Sequence, residues 1–108
     1  MPRTRAFRET VVEAAQRDPE YRRSLLTRGI GFMLGSRPED IALGKGLVRD
    51  YIDAAIGFKE LGVKLGEPPK SLMRMFGPMG NPRLDRLSRV LAMLQEHEGV
   101  HLIVQAEK

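Results

Sequence analysis

The chain has 108 residues, with 18 lysines and arginines against 14 aspartates and glutamates, a net charge of +4 and no cysteine. That length supports a single core and leaves no room for a large inserted catalytic cleft, and the missing cysteines exclude disulfides, thiolate zinc sites and cysteine nucleophiles. Hydrophobic residues make up 42% and charged residues 30%, the balance of a soluble globular domain, and no apolar run approaches the roughly 18 residues of a membrane helix.

Arg3, Arg5 and Arg8 open the chain with no apolar stretch behind them, so a secretory signal is not expected and a cytoplasmic location is. Val11, Val12 and Ala15 recur at helical spacing and predict a first helix over 8–16. Asp18-Pro19 pairs an N-cap residue with a proline suited to the first helical position and starts a second helix. Tyr21, Leu25, Leu26, Ile30, Met33 and Leu34 form its apolar stripe, with Arg22, Arg23 and Arg28 mostly on the other face. Ser36 followed by Glu39 has the form of a capping box, so a third helix is expected to begin there, with an interruption at Gly44 and Gly46. From Leu47 the pattern resumes: Val48, Tyr51, Ile52 and Ala55 share one face, Arg49, Asp50 and Asp53 lie outside, and the helix ends near Gly57.

A short segment, Phe58 to Leu65, leads to Gly66, then to Pro68-Pro69 and the run Lys70 to Phe76, which Gly77-Pro78 stops. Asn81-Pro82 repeats the N-cap and proline pairing, and Leu84, Leu87, Leu91 and Leu94 keep a helical stripe behind it. After Gly99 the period changes to two, with Val100, Leu102 and Val104 alternating with His101, Ile103 and Gln105, which predicts one short strand. A strand without a partner in its own chain leaves edge amides and carbonyls unpaired, so pairing with a second copy is expected. The fold predicted is mostly α, with five to six helices, a helix-turn-helix and one C-terminal strand paired in a dimer. Residues 1–35 form an N-terminal helical extension and 36–108 the helix-turn-helix domain with the strand, as one compact unit.

Function is carried by 58–74. A helix-turn-helix needs a short first helix, a tight turn with glycine at the bend, and a second helix that is apolar inside and able to reach DNA outside. Leu61 and Leu65 would face the core from the first helix, Gly66 would make the bend, and Leu72, Met75 and Phe76 would anchor the second. Lys70, Ser71, Met73 and Arg74 are left outward or near the groove. The pI near 9.9 suits such a partner, because cationic side chains that neutralise phosphates release counterions.

The turn glycine Gly66, the Ser71-Leu72 pair with Arg74, Gly80-Asn81-Pro82, the leucine-rich helix from Leu84 to Leu94 and the closing strand at 100–104 together resemble one family. It is that of the lambda-repressor-like (Cro/repressor-type) helix-turn-helix proteins, nearest to the addiction-module antidote or antitoxin-like transcriptional regulators. The resemblance covers about 47–105. It implies a double-stranded DNA partner, with Pro69, Lys70, Ser71 and Arg74 at or near base edges and Lys59 as a phosphate contact. Arg74 is the strongest base reader, since a guanidinium bonds guanine O6 and N7 together. Arg83, Arg86 and Arg89, spaced by three, offer a basic face to backbone phosphates. The DNA-binding set expected is Lys59, Pro69, Lys70, Ser71, Met73, Arg74 and Arg83.

The chain departs from the family at Glu60, Gly62, Glu67 and Pro68. Carboxylates beside phosphate oppose binding, so Glu60 and Glu67 favour an alternative: a protein-interaction module, an antitoxin holding a toxin protein, with DNA binding weak or lost. No enzyme, metal or cofactor is expected. Asp50 and Asp53 lack a nucleophile or base beside them, Gly77 to Gly80 lacks the ending of a phosphate loop, and Gly99 separates His97 from His101.

Overall fold

In a computed structural model that describes residues 4–108, Thr4 Oγ1 accepts the Phe7 amide at 3.0 Å and caps α1 (Arg5–Arg17). Asp18 caps α2 (Pro19–Met33): its Oδ1 accepts the amides of Glu20 at 3.0 Å and Tyr21 at 3.3 Å, which satisfies two of the donors that a helix start leaves without partners. The remaining elements are α3 (Pro38–Ala55), α4 (Phe58–Leu65), α5 (Pro69–Met75) and α6 (Leu84–Glu98).

Two helix starts differ from the expected caps. α3 is capped by Arg37, not Ser36, and no side chain bonds its first amides. The physical reason is Pro38: its ring disfavours helical backbone in the preceding residue, and Arg37 is accordingly extended at φ −88°, ψ 136°. Arg37 Nε instead lies 3.1 Å from Asp40 Oδ2. α6 starts at Leu84 with Arg83 as its cap, so Asn81 does not cap it. Residues 80–83 are irregular because Gly80 is held elsewhere, as described below.

α3 runs unbroken through Gly44 and Gly46, against the expected interruption. A glycine inside a helix costs about 1 kcal/mol relative to alanine, and packing supplies the compensation. A Cβ placed on Gly44 would lie 2.7 Å from Met33 Cγ and 2.8 Å from Met33 N, and one on Gly29 would lie 2.8 Å from Val48 Cγ2. These two glycines let α2 and α3 meet backbone to backbone.

One hydrophobic cluster draws on all six helices: Val11 and Ala15 from α1, Leu25 and Leu26 from α2, Val48, Tyr51 and Ile52 from α3, Phe58, Leu61 and Leu65 from α4, Leu72 and Met75 from α5, Val90 and Leu94 from α6. The radius of gyration, 13.2 Å, is that of a compact globule, for which about 13 Å is expected at 100 residues. The C-terminal end of α6 is fastened by Glu98, whose side chain is 3% exposed. Its carboxylate accepts from Arg22 twice at 3.1 Å, from Arg23 Nε at 3.2 Å and from the Tyr51 hydroxyl at 2.7 Å. α6 is thereby tied to α2 and α3.

The predicted strand is absent: among the described residues there is no strand, and the chain beyond Gly99 is an irregular tail. Gly99, at φ 72°, ends α6 in the left-handed conformation that glycine tolerates. The tail is pinned by the Leu102 amide, which donates to Gln95 Oε1 at 2.8 Å, and Leu102 packs on the core. Past it, Ile103 and Val104 are 79% and 84% exposed. With no second strand among the described residues, the alternation has no ladder to join. No helix among the described residues is long and apolar enough to cross a membrane.

Candidate nucleic-acid interface

α4 ends at Leu65 and α5 begins at Pro69, so three residues make the connection. Gly66 takes the left-handed conformation at φ 68°, ψ 34°, and the Glu67 amide turns back to the Gly62 carbonyl at 3.0 Å. Gly62 is what lets this turn close, because a Cβ there would stand 2.6 Å from the Glu67 carbonyl oxygen. Leu61, Leu65, Leu72, Met75 and Phe76 are all buried, as their spacing predicts. The opposite faces are open: Lys59, Glu60, Val63 and Lys64 on α4, and Pro69, Lys70, Met73 and Arg74 on α5.

The expected site residues thus divide. Pro69, Lys70, Met73 and Arg74 share the outer face of α5, Ser71 is half-buried at its edge, and Lys59 projects from α4. Arg83 stands apart at the start of α6, with its side chain 88% exposed and Nε 3.7 Å from Asp85 Oδ1. The structure brings Ser71 and Arg74 together with Gly80, Asn81, Pro82 and Arg86 around a cleft of about 240 Å³.

Glu67 does not point at a ligand surface. Its Oε1 accepts from Arg86 Nε at 2.9 Å and Nη2 at 2.6 Å, and its Oε2 lies 3.9 Å from Arg89 Nη1. Arg89 Nη2 also donates to the Leu65 carbonyl at 3.3 Å. The expected basic face of three arginines on α6 is therefore partly spent: Arg86 and Arg89 clamp the α4–α5 turn, and Arg83 alone points away. The sequence signal for this was a carboxylate at the turn and arginines three apart, but nothing in the linear order shows that they meet.

Lys45 is a second residue that spacing does not reveal. It lies in the middle of α3, is 7% exposed, and donates from Nζ to the Gly80 carbonyl at 2.7 Å. A Cβ on Gly80 would run into the carbonyl oxygens of Arg74 and Met75. The loop before α6 is thus seated between Lys45 and the last turn of α5, which fixes Asn81 beside Arg74.

A larger cleft, about 470 Å³, lies along α1 and α3 and is lined by Arg5, Arg8, Glu9, Val12, Glu13 and Asp53. Its cations are matched by carboxylates: Arg5 lies 3.3 Å from Glu9, and Arg8 3.8 Å from both Asp50 and Asp53. Burial pushes the Asp53 carboxyl up, against the opposing pull of Arg49 and Arg8. Among the described residues no three of His, Asp and Glu gather as a metal site.

No protein-family model, no curated protein and no solved structure matches the chain, so any functional reading rests on the residues and geometry above.

Proposed function

We propose that this protein is a sequence-specific DNA-binding transcriptional regulator of the helix-turn-helix type, acting as a homodimer at a promoter. The observation that supports this is where uncompensated positive charge lies. Arg5, Arg8, Arg22, Arg23, Arg37, Arg83, Arg86 and Arg89 each stand beside a carboxylate. Lys59, Lys64, Lys70 and Arg74 have no ion pair among the described residues, and all four project from α4 and α5, whereas the exposed Arg17 and Arg28, likewise without an ion pair there, stand singly on α1 and α2. Backbone phosphates are the complement of such a surface.

In this reading α5 faces the major groove, Lys70, Met73 and Arg74 approach the DNA directly, and Pro69 and Ser71 lie at the margin. Lys59 reaches phosphate from α4 and Arg83 from the start of α6. Repression or activation follows from occlusion or recruitment, with no covalent chemistry. The half-sites would be palindromic and about one helical turn apart. A second copy would cover the exposed Ile103 and Val104 that follow the pinned Leu102.

The test is a salt titration of binding to duplex DNA. With about four phosphates neutralised per subunit, and so about eight per dimer, log K should fall against log salt with a slope of about −7.2, roughly a 10⁴-fold loss between about 50 and 200 mM. Affinity that does not move with salt refutes the reading. The second reading, a module that holds a toxin protein, is favoured by Val63, which is 78% exposed on the outer face of α4, and by Glu60 beside it. Glu67 no longer speaks for it, since Arg86 holds that carboxylate. Salt-insensitive binding to a partner protein without duplex binding would select it.

A further inference from the structure

The cleft between α5 and the segment leading into α6 differs in chemistry from the open face of α5. Ser71, Arg74 and Met75 line it from the helix, Gly80, Asn81 and Pro82 from the loop, and Arg86 completes it; no carboxylate lines it. The Ser71 hydroxyl and the Asn81 amide make no side-chain hydrogen bond among the described residues, and Arg74 has no ion pair there. The nearest carboxylate to Arg86 is that of Glu67, at 2.6 Å, which it shares with Arg89. Behind the loop, the Lys45 ammonium bonds the Gly80 carbonyl at 2.7 Å, so a further buried positive charge stands close to the cleft.

At about 240 Å³ the space falls below the roughly 300–1,000 Å³ of sites for drug-sized ligands. It suits one small tetrahedral anion with its water. We propose that this cleft binds a phosphate oxyanion, with the Arg74 guanidinium, the Ser71 hydroxyl and the Asn81 side-chain amide donating to its oxygens. A guanidinium presents paired N–H donors that match two phosphate oxygens at once, and the hydroxyl and amide supply donors from the other directions. Arg74 is then a phosphate clamp that sets the depth of α5, and base reading falls to its neighbours Lys70 and Met73. The DNA reading supplies one source of the phosphate, a duplex backbone. A free phosphate is the other, and the cleft does not depend on the first.

An amide NMR titration of the full chain separates the two. With inorganic phosphate at constant ionic strength, the amides of Ser71, Arg74, Gly80 and Asn81 should shift, while sodium chloride leaves them in place. Arg74→Ala and Asn81→Ala, both at exposed positions, should abolish those shifts with unchanged far-UV circular dichroism. With short duplexes of random sequence, Arg74→Ala should weaken binding about tenfold per bound subunit on every sequence and make the salt slope shallower by about 0.9 per bound subunit, the value of one phosphate contact. Phosphate shifts without any duplex binding support the cleft as a free-phosphate site while the DNA reading fails. The proposal is overturned if phosphate moves none of these amides, or if the shifts survive in both variants. It is equally overturned if Arg74→Ala alters affinity at a single base pair and leaves the salt slope intact.

Discussion

Replacing Glu98 by glutamine tests how much of the fold hangs on one carboxylate. The change keeps the size of the side chain and removes the charge that faces Arg22, Arg23 and the Tyr51 hydroxyl. Removing one partner of a buried ion pair costs about 3–5 kcal/mol. Here Arg22 and Arg23 are 21% and 49% exposed while Glu98 is 3% exposed, so both arginines regain water and the lower figure, about 3 kcal/mol, applies. Against a total of about 5–15 kcal/mol for a domain of this size, that is a large share, and it lowers the melting temperature by roughly 12–24 °C.

Urea unfolding followed by circular dichroism at neutral pH measures it, with the m-value unchanged. The pH dependence adds a second reading. Burial by itself raises the Glu98 carboxyl, but hydrogen bonds from Arg22, Tyr51 and Arg23 outweigh it and hold the group below its ordinary value. Its folded pKa lies under the unfolded one, so its stabilisation is complete above the ordinary glutamate value near 4.5 and is lost as the pH falls from there through the folded pKa. Asp53, pushed up chiefly by burial, has the opposite sign: its contribution is present below its ordinary value and is lost as the pH rises through its raised folded pKa. Glu98→Gln should therefore flatten the loss of stability on acidification. A cost below about 1 kcal/mol, the range of an exposed pair, together with an unchanged acid limb, refutes the role given to this carboxylate.

Two glycines in neighbouring positions of the fold should respond in opposite directions. Gly44→Ala forces α2 and α3 apart and should destabilise by about 1–3 kcal/mol, whereas a Cβ on Gly31 meets nothing within 4 Å, so Gly31→Ala should stabilise by about 0.5–1 kcal/mol; thermal melts of the two proteins compare them. Lys45→Met keeps a flexible chain of similar length but leaves the Gly80 carbonyl without its donor, at a cost of about 1–3 kcal/mol. Amide exchange at 77–81 should then accelerate more than elsewhere, and uniform acceleration would contradict a local seat for the loop. Truncation after Leu102 removes the exposed end of the tail proposed to meet a second copy and spares the contact of Leu102 with the core; if the proposed dimer forms through that end, analytical ultracentrifugation should find a dimer for the full chain and a monomer for the shortened one.

Where a helix begins was legible when a side chain decided it, and obscure when a neighbouring backbone did. Asp18 caps α2 as its position before Pro19 predicts, because the interaction spans only three residues. Ser36 does not cap α3, since the conformational demand of Pro38 falls on Arg37 instead. The alternation of Val100 to Gln105 predicted a strand that does not form, since a strand needs a second segment to pair with and the described residues hold none. Glu67 is the sharpest case. In the linear sequence it is a carboxylate at the turn between two short helices; in the fold it is neutralised by Arg86, 19 residues later.

By itself the sequence determined the helical class, most of each buried stripe and the glycine-bent connection between α4 and α5, because those follow from periodicity and from the conformational range of single residues; packing overrode the periodicity at Asp50, expected outside but 1% exposed, and at Leu34 and Leu84, expected on apolar stripes but 69% and 78% exposed. The tertiary structure alone decided which charges remain available. The chain carries 18 arginines and lysines, yet only packing determines that Arg22, Arg23, Arg86 and Arg89 are consumed by Glu98 and Glu67 while Lys59, Lys64, Lys70 and Arg74 stay open. Lys45 completes the set, turned inward to a loop carbonyl. Ion pairing across the core depends on distances between residues far apart in the chain, and no local pattern encodes those.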